Sequence, residues 1–291
     1  DQYEPVLLAA LASGDPLLLI GAHGSAKSFL LERLAVALNL EYRFYNASLI
    51  NYDDLVGIPV PDEDRKSLRF ISAPSAIWDA EVVFFDEINR TRHELQNKLF
   101  PIIHEKRVQG ISLDRLRYRW AAMNPPPSAD DCDEDLDVYL GAGPLDPAPA
   151  DRFNFIIEVP TWRQLSDDQK RSIFRDQFDG QHDFSIPLPV IVAAAQQQLE
   201  TLQNSPPRSL EDYLLNLFGH LDDQNLIIST RRATMLHRNI LAVHSAGLHF
   251  MDMRSRKYQV KWLTGGLRRC WHYRTASRRR RTLARRTQLF C

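Results

Sequence analysis

Cysteine is scarce in this sequence, which has only Cys132, Cys270 and Cys291 among its 291 residues. An odd number of widely spaced cysteines argues against a disulfide framework and provides no metal-ligand pair. Long apolar runs are also lacking, because the best of them, residues 6–20, is interrupted at 13–16 by the polar and turn-forming residues SGDP. We therefore expect a cytoplasmic protein without a membrane-spanning segment.

Acidic residues are absent from the end of the chain. No Asp or Glu follows Asp252, whereas 13 of the 36 Lys and Arg lie between Arg254 and Arg286. Residues 1–252 hold 23 basic against 37 acidic side chains, a net charge of −14, and the tail carries +13. A basic tail can bind nucleic acid or an acidic surface. The same composition also fits a disordered end or the product of a shifted reading frame, and we favour this second interpretation.

Residues 1–160 alternate apolar runs with amphipathic segments, a pattern typical of a parallel sheet between helices. The runs predicted to be strands are 16–20, 42–46, 82–85, 118–122 and 153–159. Helices are predicted for 27–39 and 91–105. Pro101 should kink the second of these helices or end it early.

The pattern changes to helices alone after residue 160, with candidates at 188–203, 210–221 and 230–248. We therefore predict an α/β nucleotide-binding domain at 1–160, a small all-helical domain at 161–252 and an irregular Arg-rich tail at 253–291. Two irregular segments, 55–70 and 127–143, interrupt the first domain, and loops of this length are often functional. Their roles stay open.

The clearest motif follows the first predicted strand and opens the next helix, the context of a phosphate-binding loop. The phosphate loop consists of Gly21, Ala22, His23, Gly24, Ser25, Ala26, Lys27 and Ser28. Its backbone N–H groups and the helix N-terminus suit phosphate, Lys27 would reach the β- and γ-phosphates of ATP, and Ser28 would bind Mg²⁺. Ala26 replaces the Gly of the common motif GxxxxGK(S/T). We expect Ala26 to adopt the helical conformation and ATP binding to survive.

Polar side chains at later positions complete a candidate hydrolytic site. Asp86 and Glu87 end a buried strand, where Asp86 would hold Mg²⁺ through its water shell and Glu87 would polarise the attacking water. Asn124 ends the following strand and could contact both that water and the γ-phosphate. Arg152 could reach the phosphate of a neighbouring subunit, and Arg231 could reach the phosphates from the helical domain.

These motifs resemble those of the MoxR-like AAA+ ATPases. The string Asp86-Glu87-Ile88-Asn89-Arg90 is similar to the DEINR segment of that family, whose phosphate loop has the form GxxGxAKS. The other similar segments are Asn124-Pro125 for sensor 1, Ala150-Asp151-Arg152-Phe153 for the arginine finger and Ser229-Thr230-Arg231 for sensor 2, with Arg232 as the alternative register. The likeness covers about residues 1–250.

The resemblance implies a P-loop NTPase fold, with a five-stranded parallel sheet of order 5-1-4-3-2 between helices and a helical lid. It implies a Mg²⁺-dependent ATPase that forms a ring, usually a hexamer, with ATP held between subunits. It also implies chaperone-like remodelling or maturation of a protein partner, often one with a von Willebrand factor A domain.

Two other functions stay open. A nucleic-acid-stimulated motor could use the same fold, but the net charge of −14 on residues 1–252 would repel polyanions. The other alternative is a scaffold that binds ATP without turnover. The presence of Glu87, Asn124 and Arg152 weighs against it.

Overall fold

The structure is a computed structural model that describes residues 3–63, 68–71, 73–125, 152–176, 187–224, 226 and 228–255. The predicted loop 127–143, residues 256–291 of the tail and all three cysteines lie outside these ranges. The chain divides into two compact units, one of residues Gly14–Ile157 and one of Asp1–Ser13 with Glu158–Cys291.

The first unit is built on a five-stranded parallel sheet. The strands along the chain are β1 (Leu17–Ile20), β2 (Tyr42–Asn46), β3 (Ile58–Pro61), β4 (Leu68–Ile71), β5 (Val82–Asp86), β6 (Arg107–Val108), β7 (Ile111–Ser112), β8 (Tyr118–Met123) and β9 (Phe155–Glu158). The main sheet has the order β2-β5-β8-β1-β9, and β3-β4 and β6-β7 form two small hairpins. Read from β9, the five main strands follow the order 5-1-4-3-2, which confirms the predicted fold.

Burial explains why these segments are strands. All four residues of β1 and all six of β8 are buried, as expected for central strands of a parallel sheet that is covered on both faces. Strand β2 lies at the edge of the sheet, and its Phe44 side chain is exposed.

The helices are α1 (Tyr3–Ser13), α2 (Lys27–Ala37), α3 (Tyr52–Val56), α4 (His93–Glu105), α5 (Asp167–Asp176), α6 (Leu188–Asn204), α7 (Arg208–Asp222) and α8 (Thr230–Ser255). The last three match the three helices predicted after residue 160. Helix α1 packs against α6 and α8, so it belongs to the helical unit, whereas the sequence analysis assigned it to the α/β domain. The predicted boundaries at residues 160 and 252 stay predictions. Among the helices of the described ranges, none combines the length and the apolar character needed to cross a membrane.

Of the two outcomes predicted for Pro101, the early end is wrong, because α4 continues to Glu105, and the kink stays a prediction. Pro101 removes one backbone hydrogen bond and costs about 3 kcal/mol. Leu99, Ile102 and Ile103 are fully buried on the two sides of it. Burial of three such side chains contributes about 1.5–3 kcal/mol each, which exceeds this cost.

The segment 55–70, predicted to be irregular, contains most of the hairpin β3-β4. Pro59 and Pro61 do not prevent the pairing, because a hairpin uses the N–H groups of alternate residues and these prolines are two residues apart. The hairpin is attached to the unit through Phe70, whose ring lies 5.3 Å from that of Trp78. Trp78 Nε1 in turn donates to the carbonyl of Val56 at 2.7 Å.

Arg119 on β8 is a buried arginine, with 4% of its surface exposed. Its Nε donates to the carbonyl of Ile103 at 2.9 Å, and its NH1 group donates to the carbonyls of Gly14 at 2.5 Å and Arg117 at 2.9 Å. One guanidinium thereby joins the end of α4 and the residues before β1 to the sheet.

We expect Arg119→Leu to lower the free energy of unfolding by about 2–4 kcal/mol. The substitution removes the donors of these three hydrogen bonds, so the carbonyls of Gly14, Ile103 and Arg117 lose them. Urea denaturation measures this change. Arg115→Leu is the matched control, because Arg115 is 55% exposed and its 3.5 Å ion pair with Asp79 lies at the surface. Equal stability of the two variants would contradict the role of Arg119.

Candidate nucleotide-binding site

The candidate site lies where four neighbouring strands of the main sheet end. The phosphate loop follows β1, Asn46 ends β2, Asp86 ends β5, and Asn124 follows β8. These strands pair in parallel, so their carboxyl ends meet at one edge. Segments that are distant in the sequence are therefore neighbours, and this edge is where open α/β sheets bind their ligands.

Lys27 is the first residue of α2 and is buried, with 8% exposure. Its Nζ donates to the carbonyls of Gly21 at 2.7 Å and Ala22 at 2.9 Å, and it lies 3.4 Å from Ser25 Oγ and from Asn124 Oδ1. Burial lowers the pKa of Lys27, while the negative charges of Asp86 and Glu87 raise it. The phosphate loop therefore surrounds the ammonium group of Lys27, a cation that can bind an anion.

Ser28 Oγ donates to Asp86 Oδ2 at 2.9 Å. A hydroxyl and a carboxylate side by side are oxygen ligands of the type that Mg²⁺ prefers. Among the described residues no three His, Cys, Asp or Glu side chains form a metal-binding group. The Ser28–Asp86 pair fits Mg²⁺ because few protein oxygens suffice for this ion, which is commonly held together with phosphate oxygens and water.

Glu87 has a left-handed backbone, with φ 54°, and a short 3₁₀ helix, Ile88–Arg90, begins directly after it. Its Oε2 lies 3.0 Å from Ser48 Oγ and 3.5 Å from Asn46 Nδ2, and its Oε1 lies 3.5 Å from Arg90 NH1. The Ser48 hydroxyl is also 2.6 Å from Asn46 Oδ1. Several donors therefore hold the Glu87 carboxylate beside Asp86.

Asn46, Ser48 and Arg90 were not predicted as neighbours of Glu87. Asn46 ends a predicted strand and Ser48 follows it, so their position at the same edge of the sheet was the available signal. Their contact with Glu87 depends on β2 pairing with β5, which places Asn46 directly beside Asp86.

Asn124 is buried, with 4% exposure, and its side chain contacts the phosphate loop at two points. Its Nδ2 lies 2.9 Å from Nε2 of the exposed His23, and its Oδ1 faces Lys27. The backbone carbonyl of Asn124 lies 3.4 Å from Asn89 Nδ2. The residue predicted to contact the γ-phosphate is therefore in direct contact with the loop predicted to bind it.

The predicted helical conformation of Ala26 is wrong. Ala26 has φ 59° and ψ 24°, which is the left-handed region, and α2 begins only at Lys27. A side chain in this conformation costs about 1–2 kcal/mol because its Cβ crowds the carbonyl that follows. The common motif has Gly at this position because Gly lacks that penalty.

The two remaining site candidates have other surroundings. Arg152 is half-buried, with its guanidinium 4.3 Å from the ring centre of Phe100, and the adjacent Phe153 is part of the hydrophobic core. Arg231 is exposed in the first turn of α8, in the helical unit, where Ser229 caps the helix by accepting a hydrogen bond from the Arg232 backbone N–H at 3.2 Å. Their predicted roles, and the register between Arg231 and Arg232, stay predictions.

Comparison with known proteins agrees with this geometry. Residues 16–137 match the sequence family described as AAA domain (dynein-related subfamily). A protein of Escherichia coli strain K12, the uncharacterized protein YehL, is 29% identical over 124 residues, a match that covers 37% of this chain and 32% of YehL. The chain thus spans about a third of the length of this relative.

A solved structure of a presumed ATPase from Cytophaga hutchinsonii ATCC 33406 has a similar fold. The two structures superpose with a TM-score of 0.59 at 21% identity, over 85% of this chain and 74% of the other. The family match is to an AAA domain over residues 16–137, and the sheet order and the structural likeness show the same P-loop fold.

We expect Ala26→Gly to raise the free energy of unfolding by up to about 1 kcal/mol. It removes the left-handed strain of the folded state, and this gain is partly offset because Gly raises the conformational entropy of the unfolded chain. Ala193→Gly is the control. Ala193 is exposed and lies inside helix α6, so Gly there should lower stability by about 0.5–1 kcal/mol. Denaturation of the two variants measures both changes, and a loss of stability in both would show that Ala26 is not strained.

Proposed function

We propose that this chain is a Mg²⁺-dependent ATPase of the MoxR-like branch, which works in a ring of identical subunits and remodels a protein partner. The observation that carries the proposal is the 2.9 Å contact between Ser28 and Asp86, side chains 58 residues apart. It joins the start of α2, beside the buried Lys27, to the acidic end of β5. Such a combination of cation, hydroxyl and carboxylate suits a nucleotide triphosphate with its metal ion.

Nucleotide binding follows from the contacts of the phosphate loop. Lys27 Nζ donates hydrogen bonds to the carbonyls of Gly21 and Ala22. Phosphate oxygens carry a full negative charge and form stronger bonds with an ammonium group than neutral carbonyls do. We therefore expect Lys27 to exchange these carbonyls for the β- and γ-phosphates, while Ser28 and Asp86 hold Mg²⁺. The bound Mg²⁺ neutralises charge on the phosphate oxygens.

Hydrolysis needs a group that orients the attacking water, and Glu87 is placed for this role. Its carboxylate adjoins Asp86 and is held from two sides, by Ser48 Oγ at 3.0 Å and by Arg90 NH1 at 3.5 Å. Asn124 Oδ1 lies 3.4 Å from Lys27 Nζ, so the Asn124 amide adjoins the place where Lys27 would hold the γ-phosphate, and its Nδ2 can supply an N–H donor there. A donor held in place before the reaction stabilises charge as it develops and costs no reorganisation.

Ring assembly explains the position of Arg152. In the single chain its guanidinium stacks on Phe100 and is only half-buried, so part of it is open to another molecule. A cation supplied by a neighbouring subunit can raise the rate of phosphoryl transfer by about 10³–10⁵-fold. We propose that Arg152 acts in this way on the adjacent subunit of a hexameric ring, and that Arg231 contributes from the helical unit.

The protein partner is proposed from the resemblance to MoxR-like ATPases alone. It would be a client for maturation or remodelling, of the kind that has a von Willebrand factor A domain. We place the activity in the cytoplasm, because the sequence has few cysteines.

Two substitutions separate nucleotide binding from hydrolysis. Lys27→Ala removes the cation and should weaken ATP binding by at least about 100-fold. Glu87→Gln keeps the shape and loses the base, so it should bind ATP normally and lower turnover by about 10²–10⁴-fold. Titration with a fluorescent ATP analogue and phosphate release measure the two effects.

Glu94→Gln is the control for Glu87→Gln, because Glu94 is exposed in the first turn of α4. It should hydrolyse ATP at the native rate. Native turnover in Glu87→Gln would show that Glu87 is not the base and would favour a site that binds nucleotide without this chemistry.

Mixed assemblies test whether Arg152 acts on a neighbour. Arg152→Ala should lower turnover by about 10³-fold, and mixing it with inactive Glu87→Gln subunits should restore activity. In equal, randomly mixed amounts, about a quarter of the interfaces pair an intact Glu87 with an intact Arg152, so about a quarter of native turnover should return. Arg208→Ala, an exposed arginine of α7, is the control and should keep native turnover. If the mixture stays inactive, Arg152 does not act between subunits.

A further inference from the structure

His23 occupies a position that the phosphate-loop motif leaves free, since GxxxxGK(S/T) accepts any residue there. Its side chain is exposed, yet its Nε2 lies 2.9 Å from Nδ2 of the buried Asn124. A carboxamide nitrogen can only donate. His23 Nε2 is therefore the acceptor of this bond, and in the neutral ring the proton lies on Nδ1.

Two contacts together determine how the Asn124 amide is oriented. Its Oδ1 faces the ammonium group of Lys27 at 3.4 Å, and its Nδ2 faces His23. Rotating the amide by 180° would place an N–H donor against the Lys27 ammonium, which is repulsive, and the ring proton of His23 would have to move from Nδ1 to Nε2 to keep its contact. The observed orientation is therefore favoured.

Nucleotide binding removes one of these contacts. In the proposed function Lys27 turns to the phosphates, and Oδ1 of Asn124 is released from it. The bond to His23 then becomes the side-chain contact that keeps Nδ2 on its present side. Because Nδ2 carries two N–H groups, one can bind His23 while the other stays available to the γ-phosphate, and the freed Oδ1 can accept a hydrogen bond from the attacking water.

We propose that His23 is a positioning residue for hydrolysis, which orients the Asn124 amide toward the γ-phosphate and the attacking water. The inference rests on the proposed ATPase function and adds a loop residue to its machinery. Because His23 acts through Asn124, its loss should affect turnover far more than nucleotide affinity.

The test compares His23→Leu, which lacks an acceptor, with His23→Gln, whose Oε1 can accept the same bond. His23→Leu should lower kcat about tenfold, the equivalent of one lost hydrogen bond, with the Kd for Mg-ATP changed less than about twofold. His23→Gln should recover at least about a third of native kcat, because the acceptor is restored. His220→Leu, an exposed histidine of α7, is the matched control and should leave kcat and Kd unchanged.

A double-variant cycle separates positioning from a general effect on the loop. With Asn124 replaced by Ala, the further change His23→Leu should lower kcat by less than about twofold, because the group it orients is gone. Any of three results would overturn the role of His23. These are a kcat of the double variant that falls by the product of the two single losses, native kcat in His23→Leu, and no recovery of kcat in His23→Gln. If the wild-type chain binds Mg-ATP without turnover, both this inference and the proposed ATPase activity fail. If the wild-type chain hydrolyses ATP and His23→Leu has native kcat, the inference about His23 fails while the proposed ATPase activity stands.

Discussion

The structure depends on the parallel pairing of β2, β5, β8 and β1, because this pairing brings the site residues to one edge of the sheet. The register places Asn46 beside Asp86 and Ile20 beside Met123, so the residues that follow β1 and β8 are also neighbours. None of these strands ends in an apolar side chain exposed at that edge. The site is therefore a consequence of the sheet order, because Ser28 follows β1 and Asp86 ends β5.

The site is assembled at some cost to stability. Ala26 and Glu87 both have left-handed backbones that side chains disfavour, and the buried Lys27 has no carboxylate of the described residues within hydrogen-bond distance. A bound anion would compensate the buried charge, and the surrounding core holds the two strained residues in place. Among the described residues, Asn39, Lys106 and Gln109 also have positive φ, and these lie after helices or in the turn between β6 and β7.

Much of the fold could be predicted from the sequence, because the five main strands are short apolar runs and the motifs lie directly after them. The positions of Lys27, Ser28, Asp86 and Asn124 at one edge of the sheet could be predicted for the same reason, since a strand end fixes which edge a residue occupies, and their roles stay predictions. The helical conformation predicted for Ala26 was wrong, because its residue type alone gives no indication of a left-handed turn. Helix α1 packs against α6 and α8, and an apolar helix carries no information in its sequence about which unit covers it.

The contacts of His23 and Ser48 lay beyond prediction for a different reason. Each is a polar residue in a loop, and which residue it contacts depends on the pairing of strands that are distant in the chain. Only the three-dimensional structure shows that His23 meets Asn124 and that Ser48 meets Glu87.

The central claim is that the phosphate loop and the acidic end of β5 bind one nucleotide together with Mg²⁺. Isothermal titration calorimetry of the wild-type chain with ATP, in Mg²⁺ and again in excess chelator, tests it directly. The account predicts one ATP per chain and an affinity that falls by about tenfold or more without Mg²⁺, because Ser28 and Asp86 contribute through the ion. No ATP uptake, or an affinity that is the same with and without Mg²⁺, would contradict it.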